Sequence, residues 1–208
     1  MFEIRVAVIG HRSVGKTTLI NALFGAEYSE VSMRRTTAVV NSFRIFTTST
    51  EGIEIEEQAE SVSSDDDTFA IVHKRRWTAN DVLSESKADN ASYRNSIGVK
   101  EKTYDIYLAE ALHEMRSDTK LVIVDIPGLN EAGTSSRYKD YVNKNWHNFD
   151  VVIVVMDARR GVDTDEQQNL LEFVKTNIDN SKKVPVIILC NKIDDPYDAE
   201  YGIKNITR

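Results

Sequence analysis

The sequence predicts an α/β domain of three layers, with a mostly parallel sheet between helices. Three observations carry that expectation. Apolar, β-branched runs at residues 3–9, 120–126, 150–156 and 184–190 read as strands buried in a sheet. Residues 17–24, 136–145 and 164–178 read as helices, most clearly where Leu170, Leu171, Phe173, Val174 and Ile178 recur at helical spacing. A loop with two glycines joins the first strand to the first helix.

That loop is Gly10-His11-Arg12-Ser13-Val14-Gly15-Lys16-Thr17. It reads G-x-x-x-x-G-K-T, the phosphate-binding loop of nucleotide triphosphatases, and it has the strand before it and the helix after it that the motif requires. Gly10 and Gly15 permit backbone torsions and a close phosphate approach that side chains would block. Backbone N–H groups then converge on one anion, and the helix N-terminus adds its positive end. His11, Arg12, Ser13, Val14 and Thr18 complete the expected phosphate cradle. Lys16 is expected to reach the β- and γ-phosphates, and the Thr17 hydroxyl to ligate Mg²⁺.

The helix stops at Gly25, and a polar loop follows with Met33-Arg34-Arg35-Thr36-Thr37-Ala38-Val39. It lies roughly twenty residues beyond Lys16, where such nucleotidases place a switch threonine whose hydroxyl ligates metal and whose N–H meets the γ-phosphate. Thr37 is the first choice and Thr36 the alternative. Residues 39–47 form the next expected strand, with Val39, Phe43 and Ile45 on one side. Residues 48–68 are acidic and serine-rich, including Ser61-Val62-Ser63-Ser64-Asp65-Asp66-Asp67, and are expected to form a mobile, solvated excursion. A short strand is expected at 69–73, a helix start at Thr78-Ala79-Asn80-Asp81 and a strand at 102–108. Residues 48–102 thus read as a long insertion with small elements of its own.

Lys120-Leu121-Val122-Ile123-Val124-Asp125-Ile126-Pro127-Gly128 is a buried strand ending in D-x-x-G. Asp125 is placed to hold Mg²⁺ through water, and Gly128 to offer its N–H to the γ-phosphate. A second switch is expected over 129–136. The last strand runs into Asn191-Lys192-Ile193-Asp194. The Asp194 carboxylate can accept both the N1–H and the 2-amino group of guanine, a donor pair adenine lacks. Lys192 can cover the base, and Asn191 can tie this loop to the phosphate loop. The three motifs together describe a P-loop GTPase that takes GTP or GDP with Mg²⁺.

Composition narrows the setting. Among 208 residues, 41% hydrophobic content suffices for a core, and a net charge of −7 argues against a dedicated nucleic-acid surface. The single cysteine, Cys190, lies in an apolar run and is expected to be a small core residue in a reducing compartment. The chain enters a strand almost at once, without a signal peptide, and has no apolar run of membrane-spanning length. A cytoplasmic protein is expected, peripheral on a membrane at most and without a nucleic-acid partner.

Taken together, the motifs resemble the translation-factor-like GTPases. The long segment before D-x-x-G, Arg34-Arg35-Thr36-Thr37-Ala38-Val39 and Asp125-Ile126-Pro127-Gly128-Leu129-Asn130 resemble the dynamin superfamily, and are similar to the G domain of bacterial dynamin-like proteins. The resemblance covers nearly the whole chain. It implies a Mg²⁺-dependent GTPase whose G domains form a homodimer face to face across the nucleotide in the GTP state. It also implies hydrolysis coupled to membrane remodelling, through parts outside this chain. Lys16, Arg12, Ser13 and Thr37 are the implied catalytic group; Thr17, Thr37 and Asp125 are the implied metal group.

Two departures stand out. The family often has a water-orienting Gln where this chain has Arg12, and no Gln follows Gly128. Arg12 either stabilises charge on the transferring phosphate in cis or is a solvated arginine at the loop rim. Asp163, in Ala158-Arg159-Arg160-Gly161-Val162-Asp163, resembles the family's loop that reaches the partner's site. After Asp194, 14 residues remain, without the expected base-closing loop. A C-terminally incomplete G domain over 1–208 is therefore expected. Besides the GTPase, two alternatives stand: a GTP-dependent switch that does not hydrolyse, and an Era-like RNA- or ribosome-associated GTPase.

Overall fold

The computed structural model describes residues 2–28, 39–47, 52–55, 75–77, 79–93, 99–108, 119–130, 135–160, 164–180 and 183–193. Its strands are β1 (Phe2–Gly10), β2 (Val40–Thr47), β3 (Gly52–Ile55), β4 (Arg75–Trp77), β5 (Glu101–Leu108), β6 (Thr119–Asp125), β7 (Val151–Asp157) and β8 (Val186–Asn191). Its helices are α1 (Lys16–Phe24), α2 (Ala79–Tyr93), α3 (Ser135–Asn145) and α4 (Asp165–Asn180). They form one sheet in the order β4-β3-β5-β2-β6-β1-β7-β8.

The six strands from β5 to β8 are joined by parallel pairings except for β2 against β6, which is antiparallel. The remaining two extend the sheet antiparallel: β3 on β5 and β4 on β3. The central strands carry apolar residues on both faces because helices cover both. Ala7, Ile9, Val122, Val124, Val152 and Val154 face Tyr138, Val142, Trp146, Leu170 and Val174 of the α3–α4 side. Their alternates Val8, Ile123 and Val155 face Ile20, Phe24 and Val82 of the α1–α2 side. This is the three-layer arrangement that the alternation of side chains along a strand requires when both faces are dry.

Helix patterning agrees with the packing. Gln167, Leu170, Val174 and Asn177 of α4 are buried at steps of three and four residues, while Asp165 and Glu166 sit in its first turn, where the helix dipole favours acids. Gly25 ends α1 at φ 67° and donates its N–H to Ala22 O, a left-handed stop that glycine adopts without strain. On the α1 face, Phe24 meets Tyr28 and Phe43 edge-on at centroid distances of 5.3 and 5.5 Å, and Phe43 stacks on Tyr104 at 5.6 Å. Such ring pairs add about 0.5–1.5 kcal/mol each beyond area burial.

Two expectations are corrected. Residues 48–68 are not wholly an excursion: β3 lies within them and pairs with β5 through Ile53 and Ile106. Cys190 is exposed, not a core residue. The apolar run is real, but β8 is the last strand of the sheet and pairs only with β7 among the described residues, so Ile187 and Ile188 are also half-exposed. The expected strand at 69–73 and the residues 61–67 lie outside the described residues. No helix among the described residues is long and apolar enough to cross a membrane.

Candidate nucleotide-binding site

Four neighbouring parallel strands end side by side: β6, β1 and β8 on the motif residues Asp125, Gly10 and Asn191, and β7 on Asp157. The C-terminal edge of an open parallel sheet is where α/β folds bind ligands. The loop after β1 has the backbone that phosphate binding demands. Gly10 and Gly15 stand at φ 151° and 102°, and Ser13 at 58°. A Cβ on Gly10 would sit 2.4 Å from Val155 O, and one on Gly15 would sit 2.1 Å from Asn191 Nδ2. Val14 is buried in the α1-side core, which anchors the middle of the loop, while Arg12 and Ser13 are exposed and His11 is buried. Thr18 is exposed in the first turn of α1.

Lys16 is buried, and its ammonium curls over the loop, donating to His11 O at 2.9 Å and Gly10 O at 3.4 Å. It is thereby held within the cradle that its motif assigns to a triphosphate. Beside it the Thr17 hydroxyl donates to Asp125 Oδ2 at 3.2 Å. Asp125 is wholly buried, and its other oxygen, Oδ1, has no hydrogen-bond partner among the described residues. Burial pushes the Asp125 carboxyl up to about 6, against the opposing effects of the Lys16 charge and the Thr17 hydrogen bond. A buried carboxylate oxygen without a donor, next to a threonine hydroxyl, is a hard oxygen set that fits Mg²⁺.

The D-x-x-G segment lies directly on the phosphate loop. Leu129 N donates to Gly10 O at 3.2 Å, and a Cβ on Gly128 would come within 2.9 Å of Arg12 N. Arg12 N donates to Asn130 Oδ1 at 2.9 Å, and Asn130 Nδ2 reaches Glu166 Oε2 at 3.5 Å. On the other side Asn191 Nδ2 donates to Val14 O at 2.9 Å, the tie expected of it. Lys192 Nζ donates to Ser13 O at 2.6 Å and to Asp157 Oδ2 at 2.9 Å.

The structure therefore brings Gly10 through Thr18, Asp125, Gly128, Asn191 and Lys192 to one edge of the sheet. Thr36, Thr37, Asp163 and Asp194 lie outside the described residues. Sequence reasoning missed Asp157 and Asn90, and gave Asn130 no role beyond its place in the D-x-x-G stretch. Asp157 closes its apolar strand as Asp125 does, and that parallel was a usable signal. Asn90 of α2 had none: it is buried and accepts from Val39 N at 3.1 Å, across 51 residues of chain. One turn earlier Ser86 Oγ lies 3.5 Å from Tyr28 O, so α2 touches both flanks of the segment that holds Thr36 and Thr37.

Fold and site together define a P-loop nucleotide-binding α/β domain. The sequence model of the Dynamin family matches residues 6–193, so the chain belongs to the dynamin family, as a GTPase domain for which GTP binding is implied. An uncharacterized protein of Acanthamoeba polyphaga mimivirus is 22% identical over 201 residues, which are 93% of this chain and 29% of that protein. Among solved structures, one described as an oligomerised bacterial dynamin pair matches 98% of this chain and 30% of its own, at 19% identity and a TM-score of 0.55. Aquifex aeolicus Era bound to GDP and AlF4⁻ matches 99% of this chain and 47% of its own, at 16% identity and a TM-score of 0.49. The chain spans less than a third of the length of the viral relative and of the bacterial dynamin chain.

Proposed function

We propose that this domain binds GTP with Mg²⁺ and hydrolyses it to GDP and phosphate. The observation that carries the reading is the Thr17–Asp125 pair close to the Lys16 charge, with the buried Oδ1 of Asp125 lacking a donor among the described residues. In this reading the phosphate loop binds the β- and γ-phosphates, Lys16 releases the carbonyls of Gly10 and His11 to meet them, and Gly128 follows the γ-phosphate. Thr17, Asp125 and Thr37, with Thr36 as the alternative, would hold Mg²⁺, which supplies charge neutralisation on the phosphate oxygens. Water attacks the γ-phosphorus in line. The bond to the β-phosphate oxygen breaks, GDP keeps its electron pair, and the water proton ends on phosphate. Asn191 and Lys192 wall the base side, and Asp194 reads guanine.

Residues 1–208 then form one dynamin-type G domain, with 48–102 as its insertion. G domains pair in the GTP state, and membrane action belongs to the longer proteins of which this chain spans a part. The test is GTP turnover over rising protein concentration, with and without anionic lipid vesicles. Turnover that is lost in Lys16→Ala and in EDTA supports the reading; turnover unaffected by both overturns it.

One observation favours a second reading, a GTP-dependent switch with negligible hydrolysis. Arg12 stands exposed at the position where the family often carries Gln. Single-turnover hydrolysis separates the two: tight GTP binding with no phosphate release selects the switch.

A further inference from the structure

Lys192 and Ser13 are the two non-glycine residues with positive φ among the described residues, at 63° and 58°. A side-chain-bearing residue stays in that region only when its surroundings over-determine it. Here the two are bonded to each other, through Lys192 Nζ and Ser13 O at 2.6 Å. The same ammonium donates to Asp157 Oδ2 at 2.9 Å, and the Asp157 side chain is only 2% exposed. Arg159 completes the carboxylate: its N and Nε donate to Oδ1 at 3.2 and 3.1 Å, and its Nη2 to Oδ2 at 3.0 Å.

Asp157 is thus a buried anion shared by two cations from different loops. One follows β7 directly and the other follows β8, and β7 and β8 are neighbours. Without the carboxylate, two positive groups would face one another with nothing between them, and Lys192 would recover the rotamer freedom of a long side chain.

We propose that Asp157 is a positioning residue for the nucleotide pocket. It holds the Lys192 ammonium down on the phosphate loop, so that the base-side wall is formed before nucleotide arrives. This rests on the reading of the site as a guanine-nucleotide pocket. Asp157 touches no nucleotide itself; it acts by sparing the ordering cost that binding would otherwise carry. Lys192 serves the base end, which GDP and GTP share. Losing its tether therefore weakens both nucleotides by the same factor and raises KM, while kcat at saturation stays unchanged.

The experiment measures GDP and GTP affinity and steady-state kinetics for wild type, Asp157→Asn, Lys192→Met and the double variant. Each single variant is expected to bind both nucleotides about tenfold or more weakly, the scale of a hydrogen bond between charged groups. The double variant is expected to be no weaker than Lys192→Met alone, because the tether has nothing left to hold. Asp157→Asn that binds GDP as wild type does, or effects that multiply in the double variant, would overturn the proposal. If Asp157→Asn does not fold, Asp157→Glu is read in its place. It keeps the charge and displaces it by one methylene: equal weakening of both nucleotides supports the tether, and unchanged binding refutes it. Wild type that binds neither nucleotide would instead sink the pocket assignment itself.

Discussion

The Thr17 hydroxyl lies 3.2 Å from Asp125 Oδ2, although 108 residues of chain separate them. One is the first threonine of α1 and the other the last residue of β6, and β1 and β6 pair in parallel with Val8 opposite Asp125. That register sets the pair at the C-terminal edge of β1 and β6. If it holds metal, Thr17→Ala and Asp125→Asn each abolish the gain in GDP affinity that Mg²⁺ produces over EDTA. Residual binding in EDTA stays near the wild-type level. Titration calorimetry with and without metal checks this, and a retained Mg²⁺ effect in both variants refutes the ligand assignment.

Gly10 of the phosphate loop and Gly25 at the end of α1 differ in what surrounds them. An alanine at Gly10 would press its Cβ against a backbone oxygen, Val155 O at 2.4 Å, in a backbone conformation that alanine resists. Gly10→Ala is expected to cost about 2–4 kcal/mol of stability and to eliminate nucleotide binding. At Gly25, φ is 67° but nothing lies within 4 Å of the added Cβ. Gly25→Ala is expected to cost only about 1 kcal/mol, from the left-handed torsion alone, with binding intact. Urea unfolding of the two variants side by side tests the contrast.

Asp157 has a pH signature. Its hydrogen bonds from Arg159, and then from Lys192, outweigh burial and hold the carboxyl well below the usual carboxylate range. A depressed folded-state pKa stabilises the folded form in full above the unfolded value, about 4. That contribution is lost as pH falls further toward the folded value. The stability gap between wild type and Asp157→Asn is therefore constant from pH 7 to 5 and shrinks below about pH 4. Denaturant midpoints across that range decide it; a gap that already narrows between pH 7 and 5 contradicts the assignment.

Asn90 binds the chain just before β2. Asn90→Leu keeps the size but leaves Val39 N without that acceptor in a buried setting, at an expected cost of about 1–3 kcal/mol. Asn90→Asp, which keeps an oxygen at that position, is expected to restore part of it. Thermal melts of the pair report the result; equal stability of Asn90→Leu and wild type refutes the anchor.

Trp146 fills the α3–α4 side of the core and is fully buried, at the 3₁₀ turn that follows α3. Trp146→Ala opens a large apolar cavity and is expected to cost about 3–5 kcal/mol. The measurement is equilibrium unfolding, with nucleotide affinity of the remaining folded fraction as control.

Much of this could be read in the chain because it is locally encoded. A run of β-branched residues, two glycines at a set spacing and a lysine before a threonine impose their own backbone demands, whatever lies around them. Strands β1, β6, β7 and β8 and helices α1, α3 and α4 were accordingly placed to within a few residues. What escaped depends on neighbours distant in sequence. Cys190 has the apolar company of a core residue, yet its strand lies last in the sheet among the described residues, and nothing in the run itself says so. Asp157 pairs locally with Arg159, two residues on, but its second cation, Lys192, comes from 35 residues away.

The amino-acid order was thus sufficient to place the G-x-x-x-x-G-K-T loop, the aspartate of D-x-x-G and the asparagine and lysine of N-K-x-D, because each belongs to a short pattern with its own backbone setting. Folding alone decided that β2 runs antiparallel to β6 and that α2 touches Tyr28 and Val39, on either side of residues 29–38. It also decided that Lys192 is held by a buried carboxylate. Those outcomes are choices among long-range partners, and the free energy of such a choice resides in the pairing rather than in either stretch alone.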